Sequence, residues 1–155
     1  MYDTMLQWLE DLDGVEQDPR YHPEEDALFH SLQVYQHALR HGPRPELLAA
    51  ALFHDVGKAH SGPDHDTVGA AMTVGLPVDT RWLIGHHLDL LRNPRKTRRV
   101  GAGSRWIADL ELLRRWDLAG RDPHATVCSP EEAVSVVLEA LEVRDGQGGC
   151  RLPLY

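Results

Sequence analysis

The chain has 155 residues, of which 42% are hydrophobic and 26% are charged, and its formal net charge is -8 at pH 7. This length and composition are typical of one globular domain with a hydrophobic core, so we expect a single domain over residues 1–155. No apolar run approaches the roughly 20 residues that cross a bilayer, and the acidic start lacks the features of a signal peptide. We therefore expect a cytoplasmic protein without a membrane span.

Apolar residues recur every three or four positions along nearly the whole chain, whereas alternating β-branched runs are absent. This periodicity predicts an all-α fold, a bundle of about six or seven helices. Gly and Pro clusters separate the helices, and Ser129 has the sequence context of a helix N-cap. The residues after 143 lose the helical pattern, which predicts a loose or docked end. The predicted helices cover residues 2–13, 24–41, 45–58, 65–74, 79–90, 102–119 and 130–143.

The cysteine and histidine contents limit the kind of metal site that the chain can form. The only cysteines are Cys128 and Cys150, without CxxC spacing, so neither a disulfide framework nor a thiolate zinc site is predicted. Any metal ion would have to be held by nitrogen and oxygen. Five of the ten histidines stand in polar or loop contexts and are interpreted as surface side chains: His22, His37, His41, His60 and His124.

The stretch LAAALFHDVGKAH, residues 48 to 60, begins as an apolar helix and then places His54 beside Asp55. Adjacent residues on a helix point about 100° apart, so one turn could serve two ions, or one ion and a second partner. The two oxygens of an aspartate can each face a different cation. Lys58 follows three residues later, and the alternative interpretation is an ordinary ion pair between Asp55 and Lys58.

Five further ionisable residues interrupt or border apolar helix faces. His30 lies among apolar residues at helical spacing, and His86 and His87 form a doublet inside an apolar helix. Asp117 lies on an apolar stripe, and His65 stands near the start of the fourth predicted helix. Each alone could be a hydrogen-bonded structural residue, but a shared metal centre accounts for all of them together. Imidazole and carboxylate ligands suit Zn, Fe, Mn, Ni or Co, or Mg where oxygens dominate.

A basic segment follows the histidine doublet. Between residues 92 and 105 stand six of the sixteen basic residues, with no acidic residue among them: Arg92, Arg95, Lys96, Arg98, Arg99 and Arg105. A positive segment in an acidic chain is suited to bind an anion, and the alternative is a solvated, mobile loop. Because the segment directly follows the doublet, some of its arginines could contact an anion bound there, so both interpretations stay open. The predicted substrate-binding residues are Arg92, Arg95, Lys96, Arg98 and Arg99.

The order of His30, the pair His54-Asp55 and then Asp117 resembles the HD superfamily of metal-dependent phosphohydrolases. LFHDVGK is similar to the central motif of that family, and the similarity runs over residues 21–121 or so. YHPEEDALFHSLQV is particularly similar to the HD domains of bacterial tRNA nucleotidyltransferases, and HDTVGA and IGHH resemble later family elements. The branch acting on cyclic-di-GMP has a GYP signature after its HH pair, where this chain has LDLLRNP, so that branch is disfavoured.

The resemblance implies an HD-domain helical bundle and a role for individual residues. Four residues match the ligands of the first metal ion: His30, His54, Asp55 and Asp117. Three more fall where the second ion's ligands lie in two-metal members: His65, His86 and His87. Asp55 would then bridge the ions, and Asp26 stands where some members use the longer Glu. Asp55 and Lys58 are the predicted catalytic residues.

The resulting hypothesis is a metal-dependent phosphohydrolase, either a phosphomonoesterase or a phosphodiesterase. One or two divalent ions would activate water to attack a nucleotide or short RNA phosphate, and Lys58 would help to neutralise that phosphate. The expected partner is a small phosphorylated substrate, with RNA as an alternative and no membrane. The competing hypothesis is a non-catalytic regulatory HD module that binds a metal and a nucleotide, with a fully coordinated metal site. A metal-free helical interaction domain fits the joint ligand pattern poorly.

Overall fold

A computed structural model describes residues 1–146, and within that range the chain is all-α and contains no strand, which confirms the predicted fold class. Most of the C-terminal segment that was predicted to be a loose or docked end lies outside the described residues. The undescribed part is residues 147–155, which include Cys150. The helices are α1 (Tyr2–Glu10), α2 (Ala27–His41), α3 (Pro45–Phe53), α4 (His65–Met72), α5 (Val78–His86), α6 (Asp89–Arg92), α7 (Pro94–Val100), α8 (Arg105–Ala119) and α9 (Pro130–Gly146).

Helix α3 forms the centre of the bundle. Every residue from Glu46 to Phe53 is buried, and the helix contacts α2, α5, α8 and α9. Its sequence PELLAAALF is apolar on nearly every side, and a helix of that kind is stable only when other helices surround it. The small alanines let the neighbouring helices approach closely. The end of α3 is therefore held rigidly in the middle of the molecule.

The predicted helix 45–58 ends earlier than expected, at Phe53. A short 3-10 turn, Val56–Ala59, follows, and Asp55 between the two has φ -103° and ψ 4°. Only glycine fits at position 57 of this turn, because a Cβ there would lie 2.0 Å from the carbonyl oxygen of His65. The backbone of the turn thus packs directly on the start of α4. This contact directs the chain after α3 away from the helix axis.

The region after α5 also differs from the prediction. The predicted helix 79–90 ends at His86, and the segment predicted either as an anion site or as a mobile loop folds into α6 and α7. Pro94 occupies the first turn of α7, where its missing N–H leaves no intrahelical bond unmade. No residue of α7 is buried. The loop interpretation is wrong for residues 94–100, and four of the six basic side chains project from this exposed helix.

Among residues 1–146, no helix combines the length and the apolar character that a membrane span requires.

Candidate metal centre

Six of the residues predicted as metal ligands come together where five helices meet. His54 and Asp55 follow the central helix α3, and the others come from α2, α4, α8 and the residue after α5. All six are buried, with exposed fractions between 0% and 8%. Buried ionisable side chains need partners, because an unpaired charge or lone pair inside a protein is costly. The six residues are His30, His54, Asp55, His65, His87 and Asp117.

One half of the cluster consists of His30, His54 and Asp117. Their ligand-type atoms all lie within 4.8 Å of one another. His30 Nε2 is 3.1 Å from Asp117 Oδ1. Asp55 Oδ2 faces the same group, at 3.3 Å from His54 Nε2 and 3.7 Å from His30 Nε2. Two imidazole nitrogens and two carboxylate oxygens therefore converge on one volume.

The other half consists of His65, His87 and the second oxygen of Asp55. Asp55 Oδ1 is 3.2 Å from His65 Nε2 and 3.5 Å from His87 Nε2. The two Nε2 atoms are 3.2 Å apart. The two oxygens of a single carboxylate thus face two different histidine pairs.

The opposite ring nitrogens determine which tautomers the histidines adopt. A carbonyl oxygen can only accept, so each Nδ1 that contacts a carbonyl carries a proton and leaves a lone pair on Nε2 in the neutral ring. In three of the rings the acceptor is the carbonyl three residues earlier, at 2.7 to 3.0 Å: Ala51 for His54, Gly62 for His65 and Ile84 for His87. His30 Nδ1 similarly lies 2.9 Å from the Gly120 carbonyl. All four rings present Nε2 to the cluster.

These inward lone pairs fit a cation. His30 Nε2 and His54 Nε2 are buried, make no well-aligned hydrogen bond among the described residues, and face the Asp117 and Asp55 carboxylates at 3.1 Å and 3.3 Å. Two neutral rings whose lone pairs face each other at 3.2 Å, as in His65 and His87, repel each other unless a cation or proton lies between them. Nitrogen and carboxylate donors without thiolate are the set preferred by divalent transition ions. The residues present therefore fit a bound metal.

The carboxylates of the cluster are held in the charged form. Burial raises the pKa of Asp55, but the neighbouring His54 and Lys58 side chains hold it well below its ordinary value. Burial likewise raises the pKa of Asp117, but its contact with His30 lowers it more strongly. For His30, burial lowers the pKa, and the Asp117 and Glu24 carboxylates raise it to about 9. A metal that binds here would displace a proton from the cluster.

Lys58 makes the ion pair that was the alternative interpretation of the motif. Its ammonium donates to Asp55 Oδ2 at 2.6 Å and also to Gln17 Oε1. The same side chain lines the cavity beside the cluster. An ammonium in this position both compensates the Asp55 charge and can contact an anion that enters the cavity.

His86 is the one predicted ligand that the structure does not bring to the cluster. Its ring stacks on Trp82, with the centroids 4.3 Å apart, and its Nδ1 is 2.8 Å from Asp89 Oδ2. Its side chain is 42% exposed. His87 follows the helix end and turns inward, whereas His86 is on the last turn of α5 and points to the opposite side. Only one histidine of a helical doublet can face a given site.

The cavity beside the cluster, which we call the first cleft, has a volume of about 480 Å³. Its walls include Asp55, Lys58, His65, His87 and Asp117 together with three arginines: Arg92, Arg114 and Arg121. Of the five predicted substrate-binding residues only Arg92 lies in this cleft, where it forms an ion pair with Asp66. The other four project from α7: Arg95, Lys96, Arg98 and Arg99.

Several residues beside the cluster were not predicted from the sequence. Glu24 Oε1 lies 2.8 Å from His30 Nδ1 and 2.8 Å from His22 Nδ1, and the Glu24 side chain is fully buried. His22 is half-buried and lines the first cleft, so its interpretation as a surface residue is wrong. The local sequence pattern does not indicate that His22 and Glu24 lie beside the cluster, because their positions depend on a loop before α2 that folds back on that helix. Asp26, in contrast, accepts from the Phe29 N–H at 2.8 Å and caps α2.

Arg114 and Arg121 were missed as well. Each lies 3.4 Å from a carboxylate oxygen of Asp117, on either side of that residue. Their spacing contains a usable signal, because residues three before and four after an aspartate lie on its own helical face. Two arginines and one aspartate on the same helical face indicate a charged binding site rather than a single surface ion pair.

The sequence matches a known family over about two thirds of its length. The family model described as "HD domain" aligns with residues 28–128. The chain therefore belongs to the HD domain family, a superfamily of metal-dependent phosphohydrolases, and the resemblance stated from the sequence is confirmed.

Three bacterial relatives share the name "Multifunctional CCA protein". The one from Methylococcus capsulatus is 46% identical over 56 residues, which are 36% of this chain and 13% of that protein. The one from Herminiimonas arsenicoxydans is 42% identical over 60 residues, or 39% and 14% of the two chains. The one from Hahella chejuensis is 37% identical over 70 residues, or 41% and 17%. The similarity thus spans less than a fifth of the length of these relatives.

Proposed function

We propose that the protein is a phosphohydrolase that uses one or two divalent metal ions to cleave a phosphoester of a nucleotide or a short RNA end. The observation that carries this proposal is the position of Asp55, whose two oxygens face His54 at 3.3 Å and His65 at 3.2 Å. A carboxylate placed between two imidazole pairs could offer one oxygen to each of two ions, as a two-metal site would use it.

The proposed ligands divide into two sets that share Asp55. The first ion would be held by His30, His54, Asp55 and Asp117, and the second by Asp55, His65 and His87. When bound, such ions supply Lewis acidity toward a phosphoryl group and lower the pKa of water. The protein's part is to fix the ring orientations through the Nδ1 contacts, so that the ligands need no rearrangement.

The cationic side chains of the first cleft supply the phosphate contacts. Arg114, Arg121 and Lys58 all lie close to the proposed ligands, and each now pairs with a carboxylate of the cluster. Guanidinium groups bind phosphate oxygens in pairs and retain their charge at any physiological pH. A substrate phosphate would exchange these carboxylate contacts for its own oxygens. This arrangement would orient the phosphorus beside the ligand cluster.

The size of the cleft and the relatives favour a nucleotide-like substrate. A volume of about 480 Å³ falls within the roughly 300–1,000 Å³ range of small-molecule sites. The resemblance of YHPEEDALFHSLQV to the HD domains of bacterial tRNA nucleotidyltransferases favours nucleotide or RNA chemistry. A mononucleotide substrate predicts a shallow salt dependence of hydrolysis, whereas an RNA strand that meets several cations predicts a steep one.

The non-catalytic alternative requires a metal site without room for water or substrate. Asp55, His65, His87 and Asp117 all line the first cleft, so the ligand cluster opens onto a cavity. This observation favours the enzyme over the regulatory module.

The test combines elemental analysis of the purified protein with a screen of nucleotide monophosphates, diphosphates, cyclic phosphates and short RNAs in the presence of Mn²⁺, Ni²⁺, Co²⁺ or Mg²⁺. We expect at least one metal equivalent and turnover with at least one ion. Asp55→Ala should lower hydrolysis by at least about a hundredfold, because even residues that only orient metal ligands typically cost 10- to 100-fold. The matched control is Asp13→Ala, the same change at an exposed position, and it should have no effect.

Two outcomes would overturn the proposal. One is full hydrolysis and full metal content in Asp55→Ala. The other is a bound metal that stabilises the fold, with no turnover of any substrate under any ion, a result that would favour the regulatory module.

A further inference from the structure

A second cleft lies on the other side of the end of α5, between α5, α7 and the start of α8. Its volume is about 440 Å³, close to that of the first cleft. None of the six clustered ligand-type residues lines it. Its walls include Trp82, His86, Asn93, Lys96, Trp106 and Ile107.

One wall of this second cleft is aromatic. Trp82 stacks on His86 at an interplanar angle of 24°, and the Trp82 and Trp106 ring centroids are 4.6 Å apart. Both tryptophans are only partly buried, in contrast to Trp116, which is 1% exposed in the core. Partly exposed indole rings in a concave site offer surface on which planar rings stack, at roughly 1–3 kcal/mol per nucleobase.

The neighbouring helix α7 carries positive charge that the protein itself does not neutralise. Of its four basic residues, Arg98 forms an ion pair with Glu111 at 3.1 Å. The described residues provide no carboxylate within 4.0 Å of the cations at the three other positions: Arg95, Lys96 and Arg99. Lys96 lines the cleft directly. In a chain of net charge -8, uncompensated cations beside an aromatic wall are suited to an external anion.

The polar side chains of the cleft fit the same ligand. Asn93 presents an amide, which can both donate to and accept from the edge of a base. Among the described residues that line the cleft, Asp89 is the one acidic residue, and its carboxylate lies 2.8 Å from His86 Nδ1. This carboxylate therefore already has a hydrogen-bond partner within the protein.

We propose that the second cleft binds a nucleoside phosphate, with the base against the Trp82 and Trp106 wall and the phosphate at Lys96. A free nucleotide and one nucleotide of a single-stranded RNA share this chemistry. The site is separate from the proposed hydrolytic centre, because His86 and His87 face different cavities. Binding here requires neither metal nor turnover, so it stands or falls independently of the proposed function.

The experiment titrates the purified full chain, with its metal, with an AMP analogue whose ester oxygen is replaced by a methylene group. Tryptophan fluorescence reports on the second cleft, since Trp82 and Trp106 line it, whereas no tryptophan lines the first cleft. We expect saturable quenching. Lys96→Glu should weaken binding about tenfold, equivalent to ~1.4 kcal/mol. Arg99→Glu makes the same charge change on the same exposed helix outside the cleft and should leave binding nearly unchanged.

Titrations with other ligands and with a variant of the first cleft identify the ligand and its site. Adenosine and inorganic phosphate should each bind more weakly than the AMP analogue, because each retains only half of the contacts. Arg121→Ala in the first cleft should leave the quenching unchanged. Tighter binding of tetra-adenylate than of the mononucleotide would identify single-stranded RNA as the source of the ligand, and equal or weaker binding would identify a free nucleotide.

Three results would overturn the inference. These are the absence of quenching by the analogue, an equal loss of affinity in Lys96→Glu and Arg99→Glu, and a loss of affinity in Arg121→Ala with none in Lys96→Glu. The second would indicate unspecific charge attraction and the third binding in the first cleft.

Discussion

Two clefts begin at neighbouring residues at the end of α5, and they are built differently. His87 faces the first cleft, is buried and has its Nδ1 fixed by the Ile84 carbonyl at 2.7 Å. His86 faces the second cleft, is 42% exposed and pairs with a carboxylate that is itself 38% exposed. Burial and a backbone acceptor fix one tautomer and one ring orientation of His87, whereas the solvent around His86 fixes neither. Environment rather than residue type therefore distinguishes a ligand-type histidine from its neighbour.

The charges of the two clefts differ in the same way. In the first cleft every arginine that lines the wall is paired with a carboxylate of the protein: Arg92 with Asp66, and Arg114 and Arg121 with Asp117. In the second, Lys96 has no carboxylate within 4.0 Å among the described residues. The arginines of the first cleft are therefore paired within the protein before a ligand binds, whereas Lys96 of the second cleft is available to pair with a ligand.

Replacing each histidine of the doublet in turn tests this difference most strongly. We expect His87→Ala to reduce the metal content and to lower hydrolysis by at least about a hundredfold, since removing a ligand should cost no less than removing a residue that orients one. His86→Ala should keep the metal content of the unmodified protein. Elemental analysis and a phosphoesterase assay measure both effects. An equal loss of metal in the two variants would contradict the separation of the clefts.

The backbone beside each cleft offers the next comparison. A Cβ at Gly57 would lie 2.0 Å from one backbone atom of α4 and 2.7 Å from another, whereas at Gly101 the closest atom is a side-chain carbon at 2.9 Å. Gly57→Ala should lower the free energy of unfolding by about 3 kcal/mol, the upper end of typical overpacking costs. Gly101→Ala should cost less, and Gly62→Ala, with no atom within 4 Å, should cost least. Urea denaturation measures the free energy of unfolding of each variant, and equal losses in the three variants would refute the predicted order.

A carboxylate contacts a histidine Nδ1 both in the buried ligand cluster and in the second cleft, which allows a matched pair of smaller changes. Glu24 and His30 are fully buried, whereas Asp89 and His86 are about 40% exposed. Glu24→Gln should lower metal affinity about tenfold, because a neutral amide orients and polarises the ring less well. Asp89→Asn should leave metal affinity unchanged. A competition titration with a metal indicator measures both, and a larger effect of Asp89→Asn would exclude the proposed role of Glu24.

The smallest effect concerns Asp26, the acidic residue four positions before His30. It accepts hydrogen bonds from the Phe29 and Gly14 N–H groups, both at 2.8 Å. Asp26→Ala should therefore lower the free energy of unfolding by about 1 kcal/mol, the usual cost of losing an N-cap. Metal content should not change, and Asp26→Asn should retain most of the stability. Loss of metal in Asp26→Ala without loss of stability would instead make Asp26 part of the metal site.

Much of the fold and of the candidate ligand set could be predicted from the sequence. The apolar period of three to four residues indicated the helices, and the family resemblance is confirmed by the family model. His54, Asp55 and Asp117 could be singled out because each is an ionisable residue on or next to an apolar helix face, where an isolated charge is costly. A charged residue on an apolar helix face can be recognised from its neighbours in the sequence alone.

Other features could not be predicted, because they depend on contacts distant in sequence. The packing of Gly57 against the start of α4, in the turn that follows α3, is not visible in the helical pattern of residues 45–58. The contact of Glu24 with His30 depends on a loop that folds back across the start of α2. The direction in which a side chain leaves the end of a helix is likewise set by neighbouring elements.

The sequence by itself determined that this chain forms an all-α bundle of the HD family with clustered metal-type side chains, since helical periodicity and motif spacing are properties of short segments. Only the tertiary structure decided that the two oxygens of Asp55 face different histidine pairs, and that His86 and His87 enter different clefts. Both depend on where five helices cross, and those crossings follow from packing around α3 rather than from any single segment.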